Sequence, residues 1–265
     1  MRDMNIISSK SNSKIREILK IGTRGAYRKQ HGLYIVEGKN MFAEMPDSLC
    51  EGGIVSESFL ARASESLRTR IEHLGLDIVT DDVFSHASMT QTPQGILAIA
   101  RQYSYTLDDI LQKKEANILM LEGLQDPGNL GTIVRSGEGA GLTGIIMDEK
   151  TVDMYNPKVV RSTMGSIFRI PFIYVDDLYK TADVLKKGGI TIYATSSYAT
   201  DDYDKADMKL PCCFMIGNES AGLTRRAMDC ADRAIRIPMM GQLESLNASI
   251  SAALLMYEVA RQRRG

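Results

Sequence analysis

Histidine and tryptophan are the residues that this sequence lacks most clearly. The 265 residues contain no tryptophan and three histidines, His31, His73 and His86, all within the first hundred positions. The remaining chain therefore has no histidine to act as a base or a metal ligand. This excludes a Ser/His/Asp hydrolase or a histidine-ligated zinc site there.

Cysteine and long apolar runs are also scarce. The four cysteines (Cys50, Cys212, Cys213 and Cys230) form no C-x-x-C pair, so we expect small core residues rather than disulfides or zinc ligands. No run approaches the roughly 18 apolar residues that span a bilayer. The first residues lack the apolar core of a secretory signal. We therefore expect a cytoplasmic protein that needs no metal and does not enter a membrane.

Net charge is nearly absent overall but not locally. The whole chain carries −1, whereas residues 1–39 contain nine Lys or Arg against three Asp or Glu. Such asymmetry favours contact with a polyanion such as RNA, and a solvated helical face is the alternative. The candidate RNA-binding residues are Lys14, Arg24, Arg28 and Lys29.

The chain length and the alternation of apolar segments predict two domains. In residues 1–102, a helix over 8–20, a strand over 32–37, a helix across 58–74 and a strand over 95–100 predict a small α/β sandwich. Residues 103–116 are polar and predict a linker with a short helix. In residues 117–265, strand-like runs alternate with helical patterns, which predicts an α/β domain whose parallel sheet is covered on both faces.

The first unusual loop follows the strand-like run that ends at Leu121. Pro127 and Gly128 predict a turn, and Asn129 is placed to cap the following helix. Arg135 lies six residues further along that helix. The alternative is an ordinary capped helix with a surface arginine.

Two further loops follow apolar strands. Gly217-Asn218-Glu219 ends one of them, with an acidic side chain at a helix start. After the other strand, an apolar loop leads through Ser245-Leu246-Asn247 into the last helix, a composition that suits an adenine ring and a ribose. Helix capping by Ser245 or Asn247 is the alternative.

Gly137-Glu-Gly139-Ala-Gly141 has the composition of a dinucleotide-binding loop, but its context is wrong. That loop needs a strand before it and a helix after it. Here a helical pattern precedes the glycines and a strand pattern follows. We therefore interpret Gly141 as a helix C-cap and the other glycines as sites of close packing.

The three loops together resemble the SpoU/TrmH-type RNA 2′-O-ribose methyltransferases of the SPOUT superclass. The resemblance rests on three motifs in the family's order, covers about residues 108–265, and extends to the N-terminal substrate-binding domain of the ribosomal RNA subgroup. The matching segments are Asn129-Leu-Gly131-Thr-Ile-Val-Arg135, Gly217-Asn218-Glu219, Ser245-Leu246-Asn247, and, in the N-terminal part, Asn12-Ser-Lys14-Ile and Tyr34-Ile-Val-Glu37-Gly38.

The resemblance implies a trefoil-knotted methyltransferase domain that binds S-adenosylmethionine and works as a homodimer. It also implies methylation of a ribose 2′-hydroxyl in ribosomal RNA, 23S rRNA in particular. Asn156 to Gly165 is expected to help shape the site. The implied cofactor-binding residues are Gly217, Ile237, Leu246, Thr195 and Met239. The implied catalytic residues are Arg135, Asn129, Glu219, Ser245 and Asn247.

Several alternatives stay open at this stage. A Rossmann-type methyltransferase would use the Gly137–Gly141 loop. An RNA-binding protein of the same fold without activity, and a transfer RNA 2′-O-methyltransferase, are the others. Arg135 could abstract the proton or, because its pKa is very high, serve as a phosphate clamp and electrostatic stabiliser.

Overall fold

The computed structural model describes residues 6–264, which fold into two compact units. The first unit runs up to Tyr103 and also includes Asp153–Phe168, and the second comprises Ser104–Val152 and the chain from Arg169 onward. Arg2 and Asp3 of the predicted basic segment lie outside the described residues. No helix within residues 6–264 is long and apolar enough to span a membrane.

The helices and strands alternate along most of the described chain. The helices are α1 (Ser13–Thr23), α2 (Gly25–His31), α3 (Lys39–Glu44), α4 (Glu57–Arg62), α5 (Glu65–His73), α6 (Asp81–Ala87), α7 (Leu107–Leu111), α8 (Pro127–Gly139), α9 (Pro157–Ser162), α10 (Leu178–Lys187), α11 (Arg225–Cys230) and α12 (Ala248–Arg264). The strands are β1 (Leu33–Glu37), β2 (Cys50–Ser56), β3 (Leu76–Val79), β4 (Ile96–Arg101), β5 (Asn117–Leu121), β6 (Gly144–Asp148), β7 (Phe172–Val175), β8 (Thr191–Thr195), β9 (Asp201–Asp202), β10 (Cys212–Ile216) and β11 (Arg233–Arg236).

A mixed four-stranded sheet of order β1-β4-β2-β3 forms the centre of the first unit. Strand β4 pairs antiparallel with β1 and β2, and β2 pairs parallel with β3. Ile15 and Ile18 of α1 and Phe84 of α6 pack against Ile35 and Leu97 of the sheet in one buried cluster. Burial of these side chains supplies the main driving force for folding of this unit.

Two predicted helices of the first unit have different bounds in the structure. The helix predicted over 8–20 begins at Ser13, because the Asn12 side chain accepts a hydrogen bond from Lys14 N and caps it. The helix predicted across 58–74 is two helices, α4 and α5. The Ser64 side chain accepts a hydrogen bond from Leu67 N and starts the second one.

The segment Asp153–Phe168 belongs to the first unit, although the sequence placed it inside the second domain. Asp153 accepts hydrogen bonds from the Arg28 guanidinium, at 2.7 Å from Nη2 and 2.9 Å from Nε. The Tyr155 ring lies 4.6 Å from the Tyr34 ring between centroids. These contacts are made by residues far apart in the sequence, so no local pattern indicates them.

The second unit contains a seven-stranded sheet of order β7-β6-β5-β10-β8-β11-β9, in which every pairing is parallel. Met120 and Met215 face a core that includes Leu185 of α10. The alternate side chains, such as Leu119 and Phe214, are equally buried on the opposite face. This confirms the predicted α/β fold with a parallel sheet, and the trefoil knot stays a prediction.

The glycines that resemble a dinucleotide loop end a helix instead. Gly141 has φ +75°, and Gly141 N and Leu142 N donate hydrogen bonds to Glu138 O and Gly137 O. This is the Schellman arrangement, in which a glycine one residue beyond the C-cap takes the left-handed conformation. Gly137 faces Leu142 and Met256, which makes it the predicted close-packing glycine.

Candidate active site

The three unusual loops all leave the carboxyl edge of the parallel sheet. Residues 122–126 follow β5, residues 217–224 follow β10, and residues 237–247 follow β11. Strand β10 lies between β5 and β8, and β11 lies beside β8. Ligands of open parallel sheets bind at this edge, so the topology brings the three predicted motifs to one place.

A chain of hydrogen bonds joins one residue from each loop. Asn129 Nδ2 donates to Glu219 Oε1 at 3.0 Å, and Asn247 Nδ2 donates to Asn129 Oδ1 at 2.9 Å. Asn247 Oδ1 in turn accepts from Ser249 N at 2.9 Å and from Ser249 Oγ at 2.6 Å, which caps α12. Three of the five predicted catalytic residues are therefore in one network.

The Glu219 carboxylate also holds the loop that precedes α8. Gln125 N donates to Oε2 at 3.1 Å and Asp126 N donates to Oε1 at 2.9 Å. Partial burial acts to raise the pKa of Glu219, but the hydrogen bonds from Asn129, Asp126 and Gln125 outweigh it and lower that pKa. Glu219 is consequently an anion at neutral pH that organises the loop, and it is poorly suited to act as a general base.

A cavity of about 540 Å³ opens beside this network. All five predicted cofactor residues line it, as do two of the predicted catalytic residues. The five are Thr195, Gly217, Ile237, Met239 and Leu246, and the two are Glu219 and Ser245. Asn129 and Asn247 reach the cavity region through their bonds with Glu219 and with each other.

The cavity fits S-adenosylmethionine in size and in chemistry. Its volume lies within the roughly 300–1,000 Å³ range of cofactor sites. Ile216, Ile237 and Leu255 supply apolar lining for a ring. Within the described part of the chain, no backbone N–H from residue 237 to residue 247 donates to a protein acceptor, so these donors are available to a ligand.

Glycine is required at position 217 for a different structural reason from the predicted one. A Cβ atom there would lie 2.2 Å from Gly222 C and 2.3 Å from Leu223 N. The backbone of its own loop, rather than a ligand, thus requires glycine at this position. Gly217 still lines the cavity, so its contact with a cofactor stays a prediction.

The sequence analysis assigned no role to Glu122 and Asn218, which join the loops to each other through hydrogen bonds. Glu122 is buried and accepts from Thr224 N and Thr224 Oγ1, both at 2.8 Å, and from the Tyr179 hydroxyl. Asn218 Nδ2 donates to Gly123 O at 2.9 Å. An acidic residue directly after the apolar run Ile118–Leu121 was the available signal for Glu122.

Arg135 lies apart from this network. Its side chain is exposed on α8 and forms no hydrogen bond or ion pair with any residue in the range 6–264. Within the described residues, a single copy of the chain therefore gives this predicted catalytic residue no hydrogen-bond or ion-pair partner.

The predicted RNA-binding cations divide into two groups. Arg28 is 5% exposed, and its guanidinium binds Asp153 and the carbonyl oxygens of Ile21 and Gly22, so the prediction that it contacts RNA is withdrawn. Lys14 forms an ion pair of 2.7 Å with Asp77. Arg24 and Lys29 are exposed.

Comparison with known proteins places this site in a family. The model of the SpoU rRNA Methylase family matches residues 116–257, and that of the MRM3-like substrate binding domain matches residues 12–98. The fold and site are those of an RNA methyltransferase with an added substrate-binding domain. The chain belongs to the SpoU rRNA methylase family.

Relatives and solved structures agree with this assignment over nearly the full chain. The 23S rRNA (guanosine(2553)-2′-O)-methyltransferase RlmP of Bacillus subtilis is 30% identical over 259 residues, which cover 97% of this chain and 99% of RlmP. The crystal structure of an RNA 2′-O ribose methyltransferase has a TM-score of 0.83 at 29% identity, covering 98% of this chain and 100% of that one. The AdoMet-bound rRNA methyltransferase from Sinorhizobium meliloti has a TM-score of 0.84 at 27% identity, covering 97% of each chain.

Proposed function

We propose that this protein transfers a methyl group from S-adenosylmethionine to a ribose 2′-hydroxyl of ribosomal RNA. The observation that supports this most directly is the hydrogen-bonded chain from Glu219 through Asn129 to Asn247 at the cavity that the predicted cofactor residues line. The similarity to RlmP favours 23S rRNA as the substrate. The cytoplasm is the expected location.

The residues of the site position the reacting groups and stabilise developing charge, and they do not act by exchanging protons. S-adenosylmethionine, when bound, supplies an electrophilic methyl group on a cationic sulfonium. Glu219 fixes Asn129, and Asn129 and Asn247 each keep one amide hydrogen for a further acceptor such as a ribose hydroxyl. Because no histidine occurs after residue 86, acceleration depends on in-line placement and on electrostatic stabilisation of the developing alkoxide.

A second copy of the chain completes the site in this proposal. Ile250, Leu254 and Tyr257 form an exposed apolar stripe on α12, at 49%, 37% and 48% exposure. A Cβ at Gly139 would lie 2.9 Å from the Tyr257 hydroxyl, and Arg135 lies one turn before Gly139 on α8. The arginine therefore projects from a face that continues the stripe, which suits delivery to a partner's site.

The activity is tested by mapping methylated nucleotides. The purified protein is incubated with a 23S rRNA transcript and S-adenosylmethionine, and the 2′-O-methyl positions are read by mass spectrometry. We expect one modified nucleotide, which the Asn129→Ala variant fails to methylate. Cofactor binding without methylation of either ribosomal or transfer RNA would overturn the proposed function.

The shared site is tested by complementation. Arg135→Ala and Asn129→Ala chains are each inactive in this proposal, but a mixed dimer would contain one intact site. Activity in the mixture supports the shared arrangement. No recovery despite demonstrated subunit exchange would mean that Arg135 acts within its own chain. A Leu254→Glu variant, measured by sedimentation, tests whether the stripe is the dimer contact.

A further inference from the structure

The loop Ser88–Gln94 in the first unit is anchored by a buried carboxylate. Glu37, at the end of β1, is 7% exposed, and within residues 6–264 its carboxylate accepts hydrogen bonds from this loop alone. The donors are Ser88 Oγ, Met89 N at 2.8 Å and Thr90 Oγ1 at 3.1 Å. A buried carboxylate needs such donors, so the loop and Glu37 fix each other.

Two further contacts hold the loop in place. Gln94 Oε1 accepts from Lys39 N at 2.9 Å. Met89 lies directly on the backbone of Gly22, where a Cβ would meet Met89 Sδ at 2.3 Å. The loop is thus preorganised mainly by polar bonds, and preorganisation reduces the entropy that binding a partner would cost.

The tip of the loop presents neutral hydrogen-bonding groups. Gln91, Thr92, Pro93 and Gln94 are all exposed, and Ser88–Gln94 contains no charged residue. Amide and hydroxyl side chains can both donate to and accept from ribose hydroxyls and base edges.

Two cations that adjoin the contacts of this loop have no acidic partner within residues 6–264. Lys39 adjoins Gln94, and Arg24 follows Gly22 at the end of α1. Both side chains are exposed, and within residues 6–264 neither forms an ion pair or a side-chain hydrogen bond.

Some other cations of the first unit are paired, whereas Arg16 and Lys20 of α1 are exposed and form no ion pair within residues 6–264. Lys10 and Lys14 bind Asp82 and Asp77 at 2.8 Å and 2.7 Å. Arg24 and Lys39 are therefore among the exposed cations of the first unit that are free to attract an anion, and these two adjoin the contacts of the loop.

We propose that Ser88–Gln94, together with Arg24 and Lys39, is the surface by which the first unit binds the RNA substrate, with Glu37 as its positioning residue. The inference rests on the proposed function, which makes RNA the partner. Arg24 and Lys39 contact phosphates, which supplies affinity without sequence preference. Gln91 and Thr92 contact ribose and base groups.

The proposed phosphate contacts of Arg24 and Lys39 are tested with two double variants, each of which removes two positive charges. Arg24→Ala/Lys39→Ala removes two unpaired cations that adjoin the contacts of the loop, and Lys10→Ala/Lys14→Ala removes two paired ones. Binding of a 23S rRNA transcript is measured over a series of salt concentrations. We expect the first variant to bind about tenfold more weakly and to flatten the log–log salt dependence by about 1.4–1.8, as two lost phosphate contacts predict. Equal slopes for both double variants would overturn the proposal.

The proposed RNA contact of the loop Ser88–Gln94 is tested with Glu37→Gln and with Gln91→Ala/Thr92→Ala. The double variant changes only exposed side chains, so it reports on the loop even if Glu37→Gln destabilises the unit. We expect both variants to raise KM for RNA, and to leave kcat at saturating RNA and the affinity for S-adenosylmethionine unchanged. An unchanged KM for Gln91→Ala/Thr92→Ala, in an enzyme that methylates RNA normally, would contradict the proposal.

Direct RNA binding separates this inference from the proposed function. Wild-type protein that binds RNA but never methylates it counts against the methyltransferase function, and the salt series still decides on the surface. If all the variants methylate RNA normally, the proposed binding surface is contradicted and the proposed function still stands. Wild-type protein that binds no RNA overturns both.

Discussion

Two glutamates in different units do similar work in different surroundings. Glu37 is buried and Glu219 is largely exposed, yet each accepts hydrogen bonds from backbone N–H and side-chain groups of a segment distant in the sequence. The hydrogen bonds of Glu37 connect it to the loop Ser88–Gln94 and fix that loop. Those of Glu219 continue through Asn129 to Asn247 beside a cavity. We therefore expect the hydrogen-bond connections of each carboxylate, rather than its burial, to decide whether it affects chemistry or binding.

The sharpest way to break this comparison is to neutralise each glutamate in turn. Glu219→Gln should lower kcat about 100-fold, because a misplacement of about 1 Å in the reacting groups has an effect of that size. Glu37→Gln should leave kcat within about twofold, since it changes RNA binding only. Single-turnover methylation at saturating RNA measures both. Equal losses of kcat would show that the two carboxylates play the same role.

Arg28 extends the comparison to a buried cation. Arg28→Ala should lower the free energy of unfolding by about 1.5–3 kcal/mol, because charged hydrogen bonds to Asp153 and two carbonyl groups are lost. Arg24→Ala should change it by less than about 0.5 kcal/mol, as for other surface residues. Urea unfolding of the two variants checks the contrast. A stable Arg28→Ala protein with weakened RNA binding would restore the withdrawn RNA contact.

The loop that carries Glu219 also depends on glycine. Gly217→Ala should cost about 1–3 kcal/mol of stability, because its Cβ would overlap the backbone of Gly222 and Leu223. Gly241→Ala is the matched control, since a Cβ there meets no atom within 4 Å. Thermal unfolding and calorimetric titration with S-adenosylmethionine follow both variants. Weaker cofactor binding without any loss of stability at Gly217 would favour direct ligand contact instead.

The smallest expected effect is that of acidification on the stability that Glu219 contributes. The pKa of Glu219 is lowered in the folded protein, so its stabilising contribution is present above the ordinary glutamate pKa and is lost as pH falls through the folded value. The difference in unfolding free energy between wild type and Glu219→Gln should be constant near neutrality and shrink below the ordinary glutamate range. Denaturant unfolding at a series of pH values measures it. A difference that grows on acidification would mean that the pKa is raised.

Features of the site that depend on local sequence patterns could be predicted, whereas those that depend on contacts between distant residues could not. Six of the seven strands of the second unit, all but β9, followed from apolar runs, and the motifs at Asn129, Gly217 and Asn247 followed from the family resemblance. The grouping of Asp153–Phe168 with the first unit did not, because it depends on contacts such as Arg28–Asp153, 125 residues apart. The loop Ser88–Gln94 was missed for the same reason, since Glu37 lies 51 residues from Ser88.

By itself, the sequence determined the alternation of helices and strands, the parallel sheet, the family and the loops that hold the candidate site, because each of these is written in short-range periodicity or in motifs. Only the tertiary structure decided what those residues do. It paired Lys14 with Asp77, buried Arg28 and left Arg24 exposed. The physical reason is that the availability of a charge depends on its neighbours in space, and the parallel sheet brings together loops that lie about ninety residues or more apart in the chain, as Asn129 and Glu219 do.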